Sequence, residues 1–151
     1  MKKITFFVFT AILLTLVMRV SAQSIETTMK PIMQDAMIYV DTIEAHDYEV
    51  VRMEFDLVSK SKNKETFRQM STDYTYSVWV FGDYRFEDID VAVYQDVNGS
   101  WQQVSKDNSA ESNALVTFQP KVAGMYKIEV IAYKFKPDYT IGHYGLIVFH
   151  E

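Results

Sequence analysis

The chain has 151 residues, carries 20 acidic against 15 basic side chains, and contains no cysteine. The formal net charge of −5 repels phosphate backbones and anionic lipids, so nucleic acid and membrane surfaces are not expected as partners. Without cysteine the chain forms neither a disulfide nor a thiol nucleophile, so the core alone must hold the fold. An aromatic content of 15% supplies large apolar side chains for such a core.

Residues 1–22 have the pattern of a secretory signal peptide. A basic start precedes an apolar run over residues 4–18, and Ala22 ends a stretch of small or β-branched residues. The run is shorter than the ~20 residues of a membrane-spanning helix, which favours cleavage after Ala22 over retention as an anchor. Cleavage leaves 12 basic against 20 acidic residues, a net charge of −8. The sequence therefore predicts a periplasmic or extracellular protein with no membrane attachment after cleavage.

Residues 23–47 are predicted to hold one amphipathic helix, from Ser24 to about Ala45, with Thr28 as its N-cap. Spacings of three and four residues place one apolar stripe on its surface: Ile25, Met29, Ile32, Ala36, Val40 and Ile43. Three further residues are expected to widen that stripe: Met33, Met37 and Tyr39. The stripe is interpreted as core packed on a sheet. A partner-binding helix with adaptable methionine contacts is the alternative.

Residues 48–151 are predicted to form one antiparallel β-sandwich domain. Period-two alternation and β-branched or aromatic residues indicate strands over residues 48–58, 66–70, 74–81, 86–95, 101–104, 115–119, 125–133 and 144–149. Asn98-Gly99 predicts a two-residue hairpin. Turn signals every 8 to 12 residues, without alternating helices, argue against a parallel sheet. The fold class is therefore all-β, preceded by one helix and a cleaved signal peptide.

Three strands carry specific expectations about their faces. The strand over residues 86–95 is expected to lie at the centre of the fold, with Ile89, Val91 and Val93 directed into the core. In residues 48–58 one face is apolar and the other charged, which indicates a strand half-exposed to water. Trp79 and Phe81 share a face, so they are either exposed or covered by the helix.

Three stretches from residue 71 onward resemble the bacterial pre-peptidase C-terminal domain family. Residues 74–83 are similar to the family's strand after a turn. Residues 88–94, followed by Asn98-Gly99, are similar to its Asp-x-Asp strand and hairpin, and residues 118–130 to its Phe-x-Pro, Gly-x-Tyr and final-strand pattern. The resemblance implies a small jelly-roll-like β-sandwich in an exported protein. Such domains usually accompany a secreted hydrolase and are not catalytic themselves.

Carboxylates gather at the beginning of the central strand. Glu87, Asp88 and Asp90 form the densest group, and Asp107 or Asp83 would complete a site. Carboxylate oxygens are the ligands that calcium prefers, and some members of the resembled family bind calcium. No run matches the twelve-residue calcium loop, and acids that are solvated or cap turns are the alternative.

No motif nominates a catalytic site. The three histidines, His46, His143 and His150, have no metal-ligand spacing. The chain also contains no Gly-x-Ser-x-Gly run and no phosphate-binding glycine loop. The protein is therefore predicted not to be an enzyme and to need no cofactor, with calcium as the alternative.

Four aromatic residues near predicted loops are candidates for ligand binding: Tyr84, Trp101, Tyr139 and Tyr144. Exposed Tyr and Trp can hold a peptide or stack on sugar rings, whereas buried ones would belong to the core. The prediction is an exported, non-catalytic module that binds a protein or peptide. Two alternatives stay open: a calcium-dependent carbohydrate-binding module, and a structural envelope protein without a soluble ligand.

Overall fold

A computed structural model describes residues 29–151 as one helix and eight strands. They are α1 (Lys30–Glu44), β1 (Glu49–Ser59), β2 (Lys64–Met70), β3 (Tyr76–Gly82), β4 (Phe86–Val97), β5 (Ser100–Lys106), β6 (Asn113–Phe118), β7 (Gly124–Phe135) and β8 (Ile141–His150). The predicted signal peptide, the predicted helix start at Ser24 and its cap Thr28 lie outside the described residues. Within residues 29–151, the helix falls short of the length and hydrophobicity that a membrane span requires.

The strands form two antiparallel four-stranded sheets that face each other. Sheet A has the order β1-β8-β3-β6, and sheet B has the order β2-β7-β4-β5. The first strand pairs with the eighth, the second with the seventh, the third with the sixth and the fourth with the fifth. This is the connectivity of a long hairpin wrapped into a jelly roll. The predicted all-β antiparallel sandwich is confirmed.

The core between the sheets is lined by alternate residues of both layers. The predicted inward face of β4 is fully buried: Ile89, Val91 and Val93. These side chains belong to one cluster with residues from sheet A: Val78, Val80, Leu146 and Val148. At the end of β4, Asn98 and Gly99 both have positive φ angles, 55° and 82°. These angles are those of the tight turn that Asn-Gly predicts between antiparallel strands.

Helix α1 packs on the outer face of sheet A. Ile32, Ala36 and Ile43 are buried in a second apolar cluster that includes β3 and β8 residues. The Tyr39 ring centroid lies 4.2 Å from that of Trp79 and 4.7 Å from that of Phe81. Of the two expectations for Trp79 and Phe81, coverage by the helix is therefore correct.

Met33 and Met37 do not widen the buried stripe, because they lie on the flank of α1 beyond the sheet contact and are exposed. With Met53 and Phe55 of β1 they line an open apolar groove of about 570 Å³. Methionine side chains adapt to different contact shapes. The alternative expectation, a helix that contacts a partner through methionines, would concern this groove.

The charged face of β1 lies beside the edge of sheet B and stays partly open to water. A bulge between Val50 and Arg52 changes the alternation at the beginning of the strand. Arg52 Nη2 lies 2.6 Å from Thr66 Oγ1, and the hydroxyl of Tyr144 donates to Glu54 Oε1 at 3.1 Å. β1 is half-exposed as predicted: Met53 and Phe55 lie on the side of α1, whereas Val51 packs against the core between the sheets.

Candidate functional site

The four predicted calcium ligands do not gather around one point. The carboxylate of Glu87 pairs with Lys134 at 2.6 Å. Asp107 accepts the backbone N–H groups of Ser109 and Leu115 at 2.6 and 2.9 Å, so it caps the loop between β5 and β6. In the part of the chain that the structure describes, no three acidic, histidine or cysteine side chains form a metal-holding group. This arrangement does not support the predicted calcium site.

Asp88 and Asp90 form a buried acidic pair beside the loop 107–112, with only 7% and 4% of their surface exposed. Asp90 lies 3.7 Å from Lys106, whereas Asp88 Oδ1 has no hydrogen-bond partner among the described residues. Burial raises the pKa of both carboxyl groups. The charge of Asp107 raises the pKa of Asp88 further, and the charge of Asp88 raises that of Asp90. Ionisation of this pair is therefore expected to weaken the fold at neutral pH.

Asp88→Asn is expected to raise the free energy of unfolding at pH 7 by about 1–2 kcal/mol, because it removes a buried charge without a partner. The raised pKa of Asp88 means that the folded protein binds the proton of this carboxyl group more tightly than the unfolded chain does. The destabilisation by ionised Asp88 is therefore absent below the unfolded pKa of about 3.9. It grows as pH rises from there through the folded pKa. Urea unfolding should show the gain shrinking from pH 7 to pH 4.

The matched control for this prediction is Glu87→Gln, which neutralises the neighbouring exposed carboxylate. Its ion pair with Lys134 is open to solvent, so the change should stay within about 0.5 kcal/mol. An equal gain for Asp88→Asn at both pH values would show that the carboxylate is not destabilising through its charge.

Asp83, Arg85 and His143 form a buried ionic network that ties the β3–β4 turn to β8. Arg85 makes a bidentate ion pair with Asp83, with Nε 2.9 Å from Oδ2 and Nη2 bonded to the same oxygen. The backbone N–H of His143 also donates to Asp83 Oδ2 at 2.9 Å. Arg85 Nη2 lies 2.7 Å from His143 Nδ1, and because guanidinium only donates, Nδ1 is the acceptor.

Burial by itself would raise the pKa of Asp83, but the hydrogen bonds from Arg85 and from backbone N–H groups hold it below its usual value. With its oxygens occupied in this way, Asp83 is not placed to complete a calcium site. The only sequence signal for the network was an Asp and an Arg two residues apart in a turn. Their histidine partner lies 58 residues from Arg85 in the chain.

The four predicted binding aromatics are divided among three places. Tyr144 is buried in the core, so the prediction that it binds ligand is wrong. Tyr84 is exposed and its ring meets that of Tyr139 edge-on at 5.7 Å, at the end of the sandwich that carries the buried network. Trp101 lies on sheet B, separate from both.

Trp101 belongs to an exposed apolar patch on the outer face of sheet B, which we call the Trp101 face. Its members are Phe67, Tyr94, Trp101, Met125 and Lys127. Phe67 and Trp101 are 46% and 40% exposed, although the outer face of an antiparallel sheet is ordinarily polar. They project from the two edge strands of sheet B and lean over its middle, so that their ring centroids are 5.6 Å apart.

Lys127 lies close to the rings of Tyr94 and Trp101 in this face. Its Nζ is 4.5 Å from the Tyr94 ring centroid and 5.8 Å from that of Trp101. These distances are typical of cation–π contacts. The same ammonium group pairs with Glu65 at 2.9 Å. The positive charge of Lys127 is thus neutralised within the face.

A polar rim borders the Trp101 face. The hydroxyl of Tyr94 donates to Glu129 Oε2 at 2.9 Å, and the amide of Asn63 donates to Glu129 Oε1 at 3.0 Å. Burial and the Glu129 carboxylate raise the pKa of Tyr94 to about 12, so its hydroxyl stays protonated. Beside it, residues 62–65, Phe67 and Glu129 line an open depression of about 590 Å³.

The chemistry of this face is that of a contact surface. Exposed aromatic rings inside a rim of paired charges are typical of protein interfaces. Of this face the sequence nominates Trp101 but not Phe67 or Lys127, because β2, β7 and β5 come into one sheet only in the folded protein.

Comparisons with known proteins identify no family for this chain. No protein-family model matches it, and no curated protein matches its sequence. Among solved structures, it is similar to Aeromonas hydrophila PliG, a periplasmic lysozyme inhibitor of g-type lysozyme, at 11% identity and a TM-score of 0.47. The match covers 66% of this chain and 85% of that one. It is also similar to tripeptidyl peptidase 2, at 13% identity and a TM-score of 0.44, over 63% of this chain and 8% of that one. Similarity at this level does not establish a shared function.

Proposed function

We propose that this protein is an exported, non-catalytic jelly-roll module that binds a protein or peptide through the Trp101 face. The observation that carries the proposal is the exposed pair of Phe67 and Trp101 rings on the outer face of sheet B, with Lys127 beside the Trp101 ring. Export is supported by the signal-peptide pattern of residues 1–22. Membership of the pre-peptidase C-terminal domain family is part of the proposal and is supported by the three motifs from residue 71 onward.

A polypeptide fits this face better than a sugar does. The rings of Phe67 and Trp101 are inclined at 47° to each other, so they do not offer one flat stacking platform. The nearby polar groups are already engaged in the pairs Lys127–Glu65 and Tyr94–Glu129. These four groups are therefore not free for sugar hydroxyls, whereas apolar side chains of a partner can pack on the rings directly.

Trp101→Ala is expected to weaken partner binding by at least about 30-fold, or about 2 kcal/mol, because buried Trp side chains dominate interface energies. A partner would be captured from a cell-envelope extract by cross-linking and identified, and its affinity would then be measured with purified components. Tyr133→Ala is the matched control, since Tyr133 is an exposed aromatic residue on β7 outside the face. It should change the affinity less than threefold, and both variants should retain the wild-type Tm within a few degrees.

Other outcomes of this experiment overturn the proposal. A glycan-array signal that Trp101→Ala abolishes, without a protein partner, would assign the face to carbohydrate. A captured partner whose affinity is the same for Trp101→Ala and the wild type would move the binding site elsewhere. The absence of any specific ligand in both assays would favour the structural envelope protein.

A further inference from the structure

We infer that the partner binds as an extended strand added to the free edge of β5; this inference rests on the proposed function and specifies its partner. β5 is an edge of sheet B, and six of its seven residues are exposed. Natural edge strands are usually protected by charges or proline. Residues 100–104 carry neither, and the one charge of β5, on Lys106, lies at its far end beside Asp90.

The other edge of sheet B is protected in the usual way. β2 carries charged side chains at three of its seven positions: Lys64, Glu65 and Arg68. The guanidinium of Arg68 reaches across to the backbone carbonyl of Val51 at 3.1 Å, which covers the gap between β2 and β1. The contrast between the two edges marks β5 as the accessible one.

The hairpin geometry identifies the free backbone groups of β5. Because the turn has two residues, Val97–Ser100 and Gln95–Gln102 are the mutually hydrogen-bonded pairs. The N–H and C=O groups of the intervening residues, Trp101 and Gln103, therefore point to the free edge. The register shift after Gln103 ends this ladder, so the edge accepts a short strand with about four main-chain hydrogen bonds.

The two sides of this edge offer different surfaces to a bound strand. The Trp101 ring lies on the outer face of the sheet. On the other side, between β5 and the β6–β7 connection, lies a cleft of about 330 Å³. Three glutamines on that side are among the residues that line it: Gln95, Gln102 and Gln119. Each amide can donate and accept hydrogen bonds.

A strand exposes successive side chains to opposite faces, so alternate residues of the ligand meet these two surfaces. The geometry fits an extended peptide of alternating apolar and polar residues, with its apolar side chains on the Trp101 face and its amide or hydroxyl side chains in the cleft. Strand addition of this kind takes affinity from the main chain and specificity from alternate side chains.

The test uses a phage-displayed library of random twelve-residue peptides as the probe, selected on the purified wild-type protein. Selected peptides should show alternating apolar and polar residues. Gln103→Pro removes the outward N–H, which the β4–β5 ladder does not use. Gln103→Pro should lower the affinity for the selected peptides at least tenfold more than Gln103→Ala does, because Gln103→Ala alters only the side chain. Hydrogen exchange of the Trp101 and Gln103 amides should slow at least tenfold when a selected peptide is bound.

A second measurement does not depend on how well Gln103→Pro folds. Two versions of each selected peptide carry N-methyl groups on alternate backbone amides, one version on the odd and one on the even positions. One version should lose at least tenfold in affinity for the wild-type protein, and the other should keep its affinity. Equal affinity of both versions, with binding still sensitive to Trp101→Ala, would overturn strand addition and leave the proposed face intact. Binding that differs between the two versions but is insensitive to Trp101→Ala would retain the β5 edge and overturn the face. Failure to enrich any peptide would overturn both.

Discussion

Arg85→Met is expected to lower the free energy of unfolding by about 3–5 kcal/mol, the range measured when one partner of a buried ion pair is removed. Asp83 and Arg85 are both buried, and the guanidinium supplies a bidentate contact to the carboxylate. Without it, Asp83 would keep its charge in the interior with only backbone donors as partners. Urea unfolding of the wild type and the variant at pH 7 measures the loss.

The pH dependence separates the charge of Asp83 from the packing of Arg85. The lowered pKa of Asp83 gives the wild type stability that is fully present above the unfolded pKa of about 3.9 and is lost as pH falls through the folded pKa. The difference between wild type and Arg85→Met should therefore be largest at neutral pH and shrink below about pH 4. Lys134→Met, which breaks the exposed pair with Glu87, is the control and should cost less than about 0.5 kcal/mol.

The double variant Asp83→Asn/Arg85→Met tests the same network from the other side. Removing both charges leaves no unpaired ion in the interior, so the double variant should be more stable than Arg85→Met alone. A loss below 1 kcal/mol for Arg85→Met at pH 7 would show instead that the pair contributes little to the fold.

Phe86→Ala is expected to cost about 3–5 kcal/mol, because it leaves a cavity at the end of the core. The Phe86 ring is buried and packs on that of Phe135 with centroids 4.6 Å apart. The ring also lies directly against Gly82 and Gly142, where an added Cβ would come within 2.4 and 2.3 Å of ring carbons. The two glycines thus make the space that the ring fills.

The complementary change, Gly142→Ala, should cost about 1–3 kcal/mol by overpacking, and Gly124→Ala is its control. A Cβ at Gly124 meets no atom within 4 Å, so that variant should stay within about 0.5 kcal/mol of the wild type. In the double variant Phe86→Ala/Gly142→Ala the new methyl group enters the vacated space. Its cost should be at least 1 kcal/mol below the sum of the single changes. Additive losses, measured by urea unfolding, would contradict the packing of the Phe86 ring against Gly142.

Part of the candidate site could be predicted from the sequence. Trp101 is a candidate binding residue from the sequence because it lies near a predicted loop, and the Asn-Gly turn before it forms as predicted. Phe67 and Lys127 were missed because their spatial relation to Trp101 depends on the order of strands in sheet B. Tyr144 was wrongly placed near a ligand, because β8 begins at Ile141 and its alternation directs that ring inward.

Local pattern alone determined where strands and helix occur, which face of β4 is buried, and how its hairpin turns. These features depend on residues that are close in the chain, so their alternation, spacing and turn residues can be read from the sequence. The tertiary structure decided the pairing of β1 with β8, the contact of the β1 charges with β2, the Asp83–Arg85–His143 network, the exposed methionine groove and the Trp101 face. Each of these requires residues far apart in the chain to become neighbours. Which partners meet is set by how the two sheets close over a common core, a property that no short stretch contains.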